Sequence, residues 1–268
     1  MLTTWTAVVA LQVIFLVFLA AVSGAAACDK LRPETSRKVL HTGAGLLTLV
    51  LPFAFRDLWP VVLLVAVTAA ALAVVRLIPA VRRRFGAAAY RVARASYGEF
   101  YFLLAVVTLF WLTEAQSSIL FAIPVLVLTL ADTTAALVGS RYGPTPHAGA
   151  RKTIEGSMAF AAVAVLCVSV PLLLWTAVGR VESLLIAATT ALLLMLVEAC
   201  AGRGRDNLLL PLGGYLLLRG LLPLAVGTLT ICFAATLVLV LFIATCVVYF
   251  RMGTPWMKSS RSLPVQTT

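Results

Sequence analysis

The chain has 268 residues, 62% of them hydrophobic and only 12% charged, yet its formal net charge is +11. A soluble globular chain is about a quarter charged, so that class is excluded, and disordered, collagen-like and coiled-coil chains go with it. A mean hydropathy of +1.05 leaves an all-α, polytopic transmembrane helical bundle.

The first apolar run, Trp5 to Ala27, is long enough to cross a bilayer, which takes about 20 residues. Ala25-Ala26-Ala27-Cys28 loosely resembles a cleavage site, but no cation precedes the run, so it reads as a retained helix. Apolar windows follow at roughly 40–55, 58–79, 99–114, 118–139, 157–178, 182–200, 208–224 and 228–250. That makes about nine spans, or eight if 208–218 is re-entrant. The windows 40–55, 99–114 and 208–224 are short or interrupted by Gly and Pro. One transmembrane domain covers residues 1–250, and a short tail, 251–268, is expected to be disordered. Cys28, Cys167, Cys200, Cys232 and Cys246 form no CxxC pair and read as packing residues, not as a disulfide framework or zinc site.

Charge sets the expected orientation. Counting loop by loop, 18 of the 21 Lys and Arg fall after the odd-numbered spans, and only Arg56, Arg180 and Arg219 fall on the other side. The positive-inside rule then puts the N-terminus outside and the C-terminus in the cytoplasm, with the bacterial inner membrane as the expected location. Helix-orienting arginines account for most of the net charge, so nucleic acid is not implied. The densest group, Arg82 to Arg94 with Phe85 and Tyr90 among its arginines, suits either anionic headgroups or a nucleotide contact.

In so apolar a chain an acid at the edge of a span is a functional candidate. Five gather on the expected cytoplasmic side: Glu99, Asp132, Glu155, Glu198 and Asp206. Arg37 and His41 share a helical face, as do Lys38, His41 and Gly45, so this helix start offers two cations and an imidazole to a phosphate, or simply a stop-transfer cluster. Glu99 opens the fourth span among aromatic residues and has Arg94 or Arg91 as candidate partners. Asp132 lies about two turns from the end of the fifth span; a carboxylate there costs at least about 2.5 kcal/mol unless paired, hydrated or on a metal. Magnesium accepts one or two carboxylates plus substrate phosphates, and Thr133 and Thr134 add hydroxyls. The loop from Ser140 to Ser157 fails the Walker pattern, but its glycines, its adjacent cations Arg151 and Lys152, and the helix start behind them suit a triphosphate. Thr153 is the expected N-cap, with Glu155 in the first turn. Glu198 ends the seventh span, and Arg205-Asp206-Asn207 opens the eighth; metal or ribose contacts and plain turn chemistry are both open there.

Five stretches, taken together, resemble the membrane-bound CTP-dependent lipid kinases, the dolichol kinase, phytol kinase and diacylglycerol/polyprenol kinase family. They are Arg37-Lys38-Val39-Leu40-His41-Thr42-Gly43, Tyr97 to Phe102, Asp132 to Gly143, Lys152-Thr153-Ile154-Glu155-Gly156-Ser157, and Glu198 through Asp206-Asn207 to Pro211. The likeness spans about residues 30–226. It departs from the pattern at Thr133-Thr134, where a small residue is expected, and at Ala150-Arg151, where a lysine-rich approach is commoner.

The resemblance implies transfer of the γ-phosphate of CTP to an isoprenoid alcohol or diacylglycerol, with Mg2+ or another divalent metal. It implies Asp132, Asp206 and Glu155 as metal ligands, and Asp132, Lys152 and His41 as catalytic residues. Nucleotide contacts fall to Arg37, Lys38, Glu99, Arg141, Gly143, Arg151, Thr153, Glu155, Gly156 and Asn207. The expected partners are a membrane lipid and a nucleoside triphosphate, with no nucleic acid. Phosphatidate cytidylyltransferase, the alternative enzyme, has a signature this chain lacks. A small transporter, the non-enzyme alternative, needs polar residues at the midplane and both faces, whereas here they crowd one face.

Overall fold

The computed structural model describes residues 2–28, 30, 33–86, 97–113, 118–147 and 152–252. Among these the chain is helical, apart from turns and one isolated antiparallel bridge between Pro146 and Thr153. Helices α1 (Leu2–Ala27), α2 (Pro33–Thr48), the short α3 (Leu51–Ala54), α4 (Leu58–Leu77) and α5 (Pro79–Phe85) form the first part of the bundle. Then come α6 (Gly98–Leu112) and α7 (Ser118–Leu126), and a π-helical turn, Val127–Ala131, leads into α8 (Asp132–Tyr142). The last four are α9 (Ile154–Trp175), α10 (Arg180–Cys200), α11 (Asp206–Leu221) and α12 (Val226–Met252).

Six segments are long and apolar enough to cross a membrane: Thr3–Ala27, Leu58–Leu77, Ser118–Tyr142, Ile154–Trp175, Arg180–Cys200 and Val226–Tyr249. This is an integral membrane protein. The three other expected spans are shorter helices. The window 40–55 breaks at a turn, Leu49–Val50, between α2 and α3; α6 has 15 residues and α11 has 16. The first two residues of the predicted tail, Arg251 and Met252, continue α12, and the rest of the tail and the arginines Arg91 and Arg94 lie outside the described residues.

Burial sorts the spans. The Ser118–Tyr142 segment is 56% buried and Val226–Tyr249 only 6%, so α7–α8 is the central column and α12 a peripheral, lipid-facing helix. Without a hydrophobic drive between helices in lipid, close packing by small residues holds such a bundle. Gly45 on α2 lies against the Thr129 side chain in the π-turn, where a Cβ would collide with it. Gly156 on α9 faces the Ala135 carbonyl oxygen on α8, 2.8 Å from where a Cβ would stand. These contacts bring α2 and α9 against the column that carries Asp132. The described cysteines are free thiols.

Candidate active site

The α7–α8 column positions the site. Pro124 sits inside α7 just upstream of the π-turn, and its missing N–H loosens the helical ladder there. The π-turn ends at Asp132; an inserted residue of this kind re-aims the side chains that follow and recurs at functional sites. Asp132 is 6% exposed and Lys38, from α2, is 4% exposed. The lysine Nζ donates to Asp132 Oδ2 at 2.6 Å and to the Asp132 carbonyl at 3.3 Å. One turn along, the hydroxyls of Thr42 and Thr133 meet at 3.0 Å. Of the two cations expected at the start of α2, Lys38 turns inward to Asp132, 94 residues away in sequence.

A second cluster forms where α9 begins. The Thr153 hydroxyl accepts from the Gly156 amide at 3.1 Å and caps the helix. The loop before it closes on itself, with the Ile154 amide on the Thr145 carbonyl at 2.9 Å and the His147 amide on the Lys152 carbonyl at 2.7 Å. Gly139 and Gly143 crowd the Thr153 side chain from α8. Glu155, in the first turn, reaches back to the Thr145 amide at 3.4 Å. This knot projects Lys152 across to the end of α10 and the start of α11. Its Nζ lies 2.7 Å from Glu198 Oε1 and 3.2 Å from Asp206 Oδ2, and donates to the Glu198 carbonyl at 2.6 Å. Burial alone would lower the pKa of this ammonium; Asp206, then Glu198, with a further pull from Asp132, outweigh burial and raise it above the ordinary lysine value. Lys152 is thus a fixed cation, and Asp132 belongs to its electrostatic neighbourhood.

The turn that joins Glu198 to Asp206 is strained. Arg203 has φ 58°, a left-handed conformation rare for a residue with a side chain, beside Gly204 at φ 86°. This reversal brings two acids of consecutive helices onto one lysine. Asn207, next along, donates to the Gly98 carbonyl at 2.8 Å and ties α11 to the start of α6. At that start Glu99 pairs with Arg76 at 2.8 Å, and the Arg76 guanidinium lies over the Tyr97 ring at 4.1 Å. The expected partners Arg91 and Arg94, and Arg151 of the loop, lie outside the described residues. Arg141 is exposed beside Tyr142, 5.3 Å from its ring centroid, and is not drawn into the cluster. Gly143 acts through its lack of a side chain, and Arg37 follows Ser36 on the same helix as Lys38.

Glu198 is one of the five candidate acids but has no assigned site role, and Ser157 and His147 are not among the expected site residues. Glu198 is 4% exposed and holds Lys152; Ser157 reaches its other oxygen at 3.5 Å, and His147 Nε2 lies 3.0 Å from the Ser157 hydroxyl. The rarity of acids marks Glu198 and the rarity of histidines marks His147, while Ser157 is marked only by its place at the end of the Lys152–Ser157 stretch. Among the described residues, no group of three or more His, Cys, Asp or Glu is arranged to hold a metal ion by itself. Asp132 meets Lys38 through Oδ2 alone, and Asp206 meets Lys152 through Oδ2 while Oδ1 accepts from the Asn207 amide at 3.2 Å. Such a donor set fits a metal that arrives with phosphates, not an all-protein cage.

A cluster of lysines and carboxylates at the ends of packed helices suits binding and transfer of a phosphorylated group. The comparison with known proteins agrees. Over 191 residues the chain is 32% identical to a phytol kinase from Synechocystis sp., an alignment that covers 69% of this chain and 78% of that protein. The chain belongs to the phytol kinase family. The relation makes it a kinase-type phosphotransferase at the family level. No protein-family model matches the chain, and no solved structure matches it.

Proposed function

We propose that this protein is a membrane lipid kinase that transfers the γ-phosphate of CTP to an isoprenoid alcohol of the phytol or polyprenol type. The observation that carries the reading is Lys152, held between Glu198 and Asp206 in a chain related to a phytol kinase. In the proposed step the alcohol oxygen bonds to the γ-phosphorus and the bond from that phosphorus to the β–γ bridging oxygen breaks. CDP leaves, and the alcohol proton passes to a base or to water.

The chemistry is mostly positioning and charge neutralisation. Lys152 meets the triphosphate at the mouth of the loop, with Arg151 beside it in sequence. Lys38 sits against the carboxylate of Asp132 and supplies positive charge at the transferring group. A divalent metal, when bound with the nucleotide, neutralises phosphate charge, and Asp132 and Asp206, with Glu155 in the adjoining helix turn, are the residues to hold it. Glu198 orients Lys152. The N-terminus outside, the C-terminus inside and a site facing the cytoplasm of a bacterium complete the proposal; the cytoplasm is where the nucleotide is found.

The test uses purified protein in detergent with CTP labelled at either the α- or the γ-phosphate, and a panel of phytol, farnesol, undecaprenol and diacylglycerol. Label from the γ-position on the alcohol, with CDP released, is the expected result. Transfer of the α-label with release of pyrophosphate shows a cytidylyltransferase and overturns the proposal.

A further inference from the structure

Beneath the charged cluster lies an apolar cleft between α1, α2, α4 and α6, lined by Phe15, Ala44, Leu47, Thr68, Phe102 and Val106 among others. The hydroxyl hydrogens of its two polar wall residues are taken within the protein. The Thr68 hydroxyl is spent on the Leu64 carbonyl at 2.8 Å and on Gln12 Oε1 at 3.1 Å, and the Thr48 hydroxyl on the Gly45 carbonyl at 2.7 Å. The cleft therefore favours a molecule that forms no hydrogen bonds along its length.

One end of the cleft is different. Phe102, a wall residue, packs edge-on against the imidazole of His41, with ring centroids 5.6 Å apart. His41 lies one turn of α2 from Ala44 on the cleft wall and one turn from Lys38 on Asp132. Its Nε2 is buried and has no hydrogen-bond partner. A buried polar atom that no protein group satisfies is free to pair with a group of a bound molecule.

We propose that this cleft holds the isoprenoid tail of the acceptor alcohol and that His41 Nε2 accepts a hydrogen bond from its hydroxyl. This rests on the lipid kinase reading. It adds where the acceptor lies: α2 delivers the tail through Ala44 and Leu47, the hydroxyl at His41 and the charge at Lys38, in steps of one helical turn along one element. Chain length is then read by the depth of the cleft, and the oxygen is set beside Asp132 without any polar contact to the tail.

The experiment is photolabelling of the intact wild-type protein with a diazirine-bearing farnesol analogue, in parallel with its turnover of farnesol and CTP. Expected are adducts between Ala44 on α2 and Leu51 at the start of α3, and on α6 between Phe102 and Val106, lost when excess phytol is added. Adducts confined to other helices, no adducts, or adducts that phytol does not displace (an ordinary membrane lipid site) overturn the inference. Absence of farnesol turnover in that same wild-type sample counts instead against the kinase reading. Two variants sharpen the result. Val106→Phe should lower the ratio of kcat/KM for phytol to that for geraniol by about tenfold or more, since a hydrophobic pocket discriminates chain volume on that scale. His41→Gln should raise the alcohol KM about tenfold with the CTP KM unmoved; an unchanged alcohol KM removes His41 from the acceptor site.

Discussion

The two ends of the bundle are built from the same helices and differ in how they spend their polar groups. At one end gather the ion pairs of Lys38 with Asp132, Lys152 with Glu198 and Asp206, and Arg76 with Glu99. At the other, Tyr215 donates to the Leu112 carbonyl at 3.1 Å and Arg219 donates to the Tyr215 hydroxyl at 2.9 Å, while Thr113 caps the end of α6 on the Leu109 carbonyl at 2.8 Å. Those are bonds that finish helices. The first end buries charge well beyond that need, at a cost that replacement by apolar side chains would remove. The proposed function places the phosphoryl transfer at that end.

The largest effect that can break the comparison is expected at Asp132. Asp132→Asn should abolish turnover, by more than about a thousandfold, and should also destabilise the protein, since removing one partner of a buried pair costs about 3–5 kcal/mol. The double variant Lys38→Met with Asp132→Leu separates these effects. It should recover thermal stability in detergent and remain inactive. Recovery of activity with stability would make the pair a strut and nothing more.

Glu198→Gln comes next. It keeps the shape that holds Lys152 and removes the charge, so turnover should fall about tenfold, the scale of one charge-assisted hydrogen bond of roughly 1.5 kcal/mol. Arrest as complete as that of Asp132→Asn would move Glu198 from orienting Lys152 to acting directly. At the opposite end Tyr215→Phe should cost only about 1 kcal/mol of stability and leave kcat and both KM values alone. A kinetic defect there would erase the distinction between the ends. The smallest perturbation tests sidedness. Single cysteines at Pro146 and at Thr176, in a background without native cysteines, should label from opposite faces of sealed vesicles; labelling from the same face would falsify the orientation read from loop charge.

Much of the first end was legible in the sequence because charge is scarce. Asp132, Lys152, Asp206 and Lys38 stand out in a chain with ten acids, and the Thr153 cap follows from local spacing. Which charge meets which was not legible. Lys152 and Glu198 are joined only when α9 and α10 pack antiparallel, 46 residues apart in sequence, and the Arg203 reversal that adds Asp206 leaves no mark beyond its glycines. Hydropathy marks the windows 40–55 and 208–224 as apolar but does not register the turn at Leu49–Val50 or the 16-residue length of α11. His41 carried a signal as a phosphate contact; its place at the head of an apolar cleft depends on Phe102 arriving from α6, which no local pattern announces.

The central claim, that the charged end is where phosphate is transferred, is tested most directly by steady-state kinetics of Lys152→Gln with CTP and phytol. If Lys152 neutralises charge on the transferring phosphate, its loss removes a preorganised contact on the order of 3 kcal/mol, and kcat/KM for CTP falls about 100-fold or more. Lys152→Arg should restore only part of this, because a planar guanidinium does not replace a compact ammonium between Glu198 and Asp206. The alcohol KM should hardly move. Wild-type kinetics for Lys152→Gln would contradict the account and take the loop, and with it the charged end, out of the reaction.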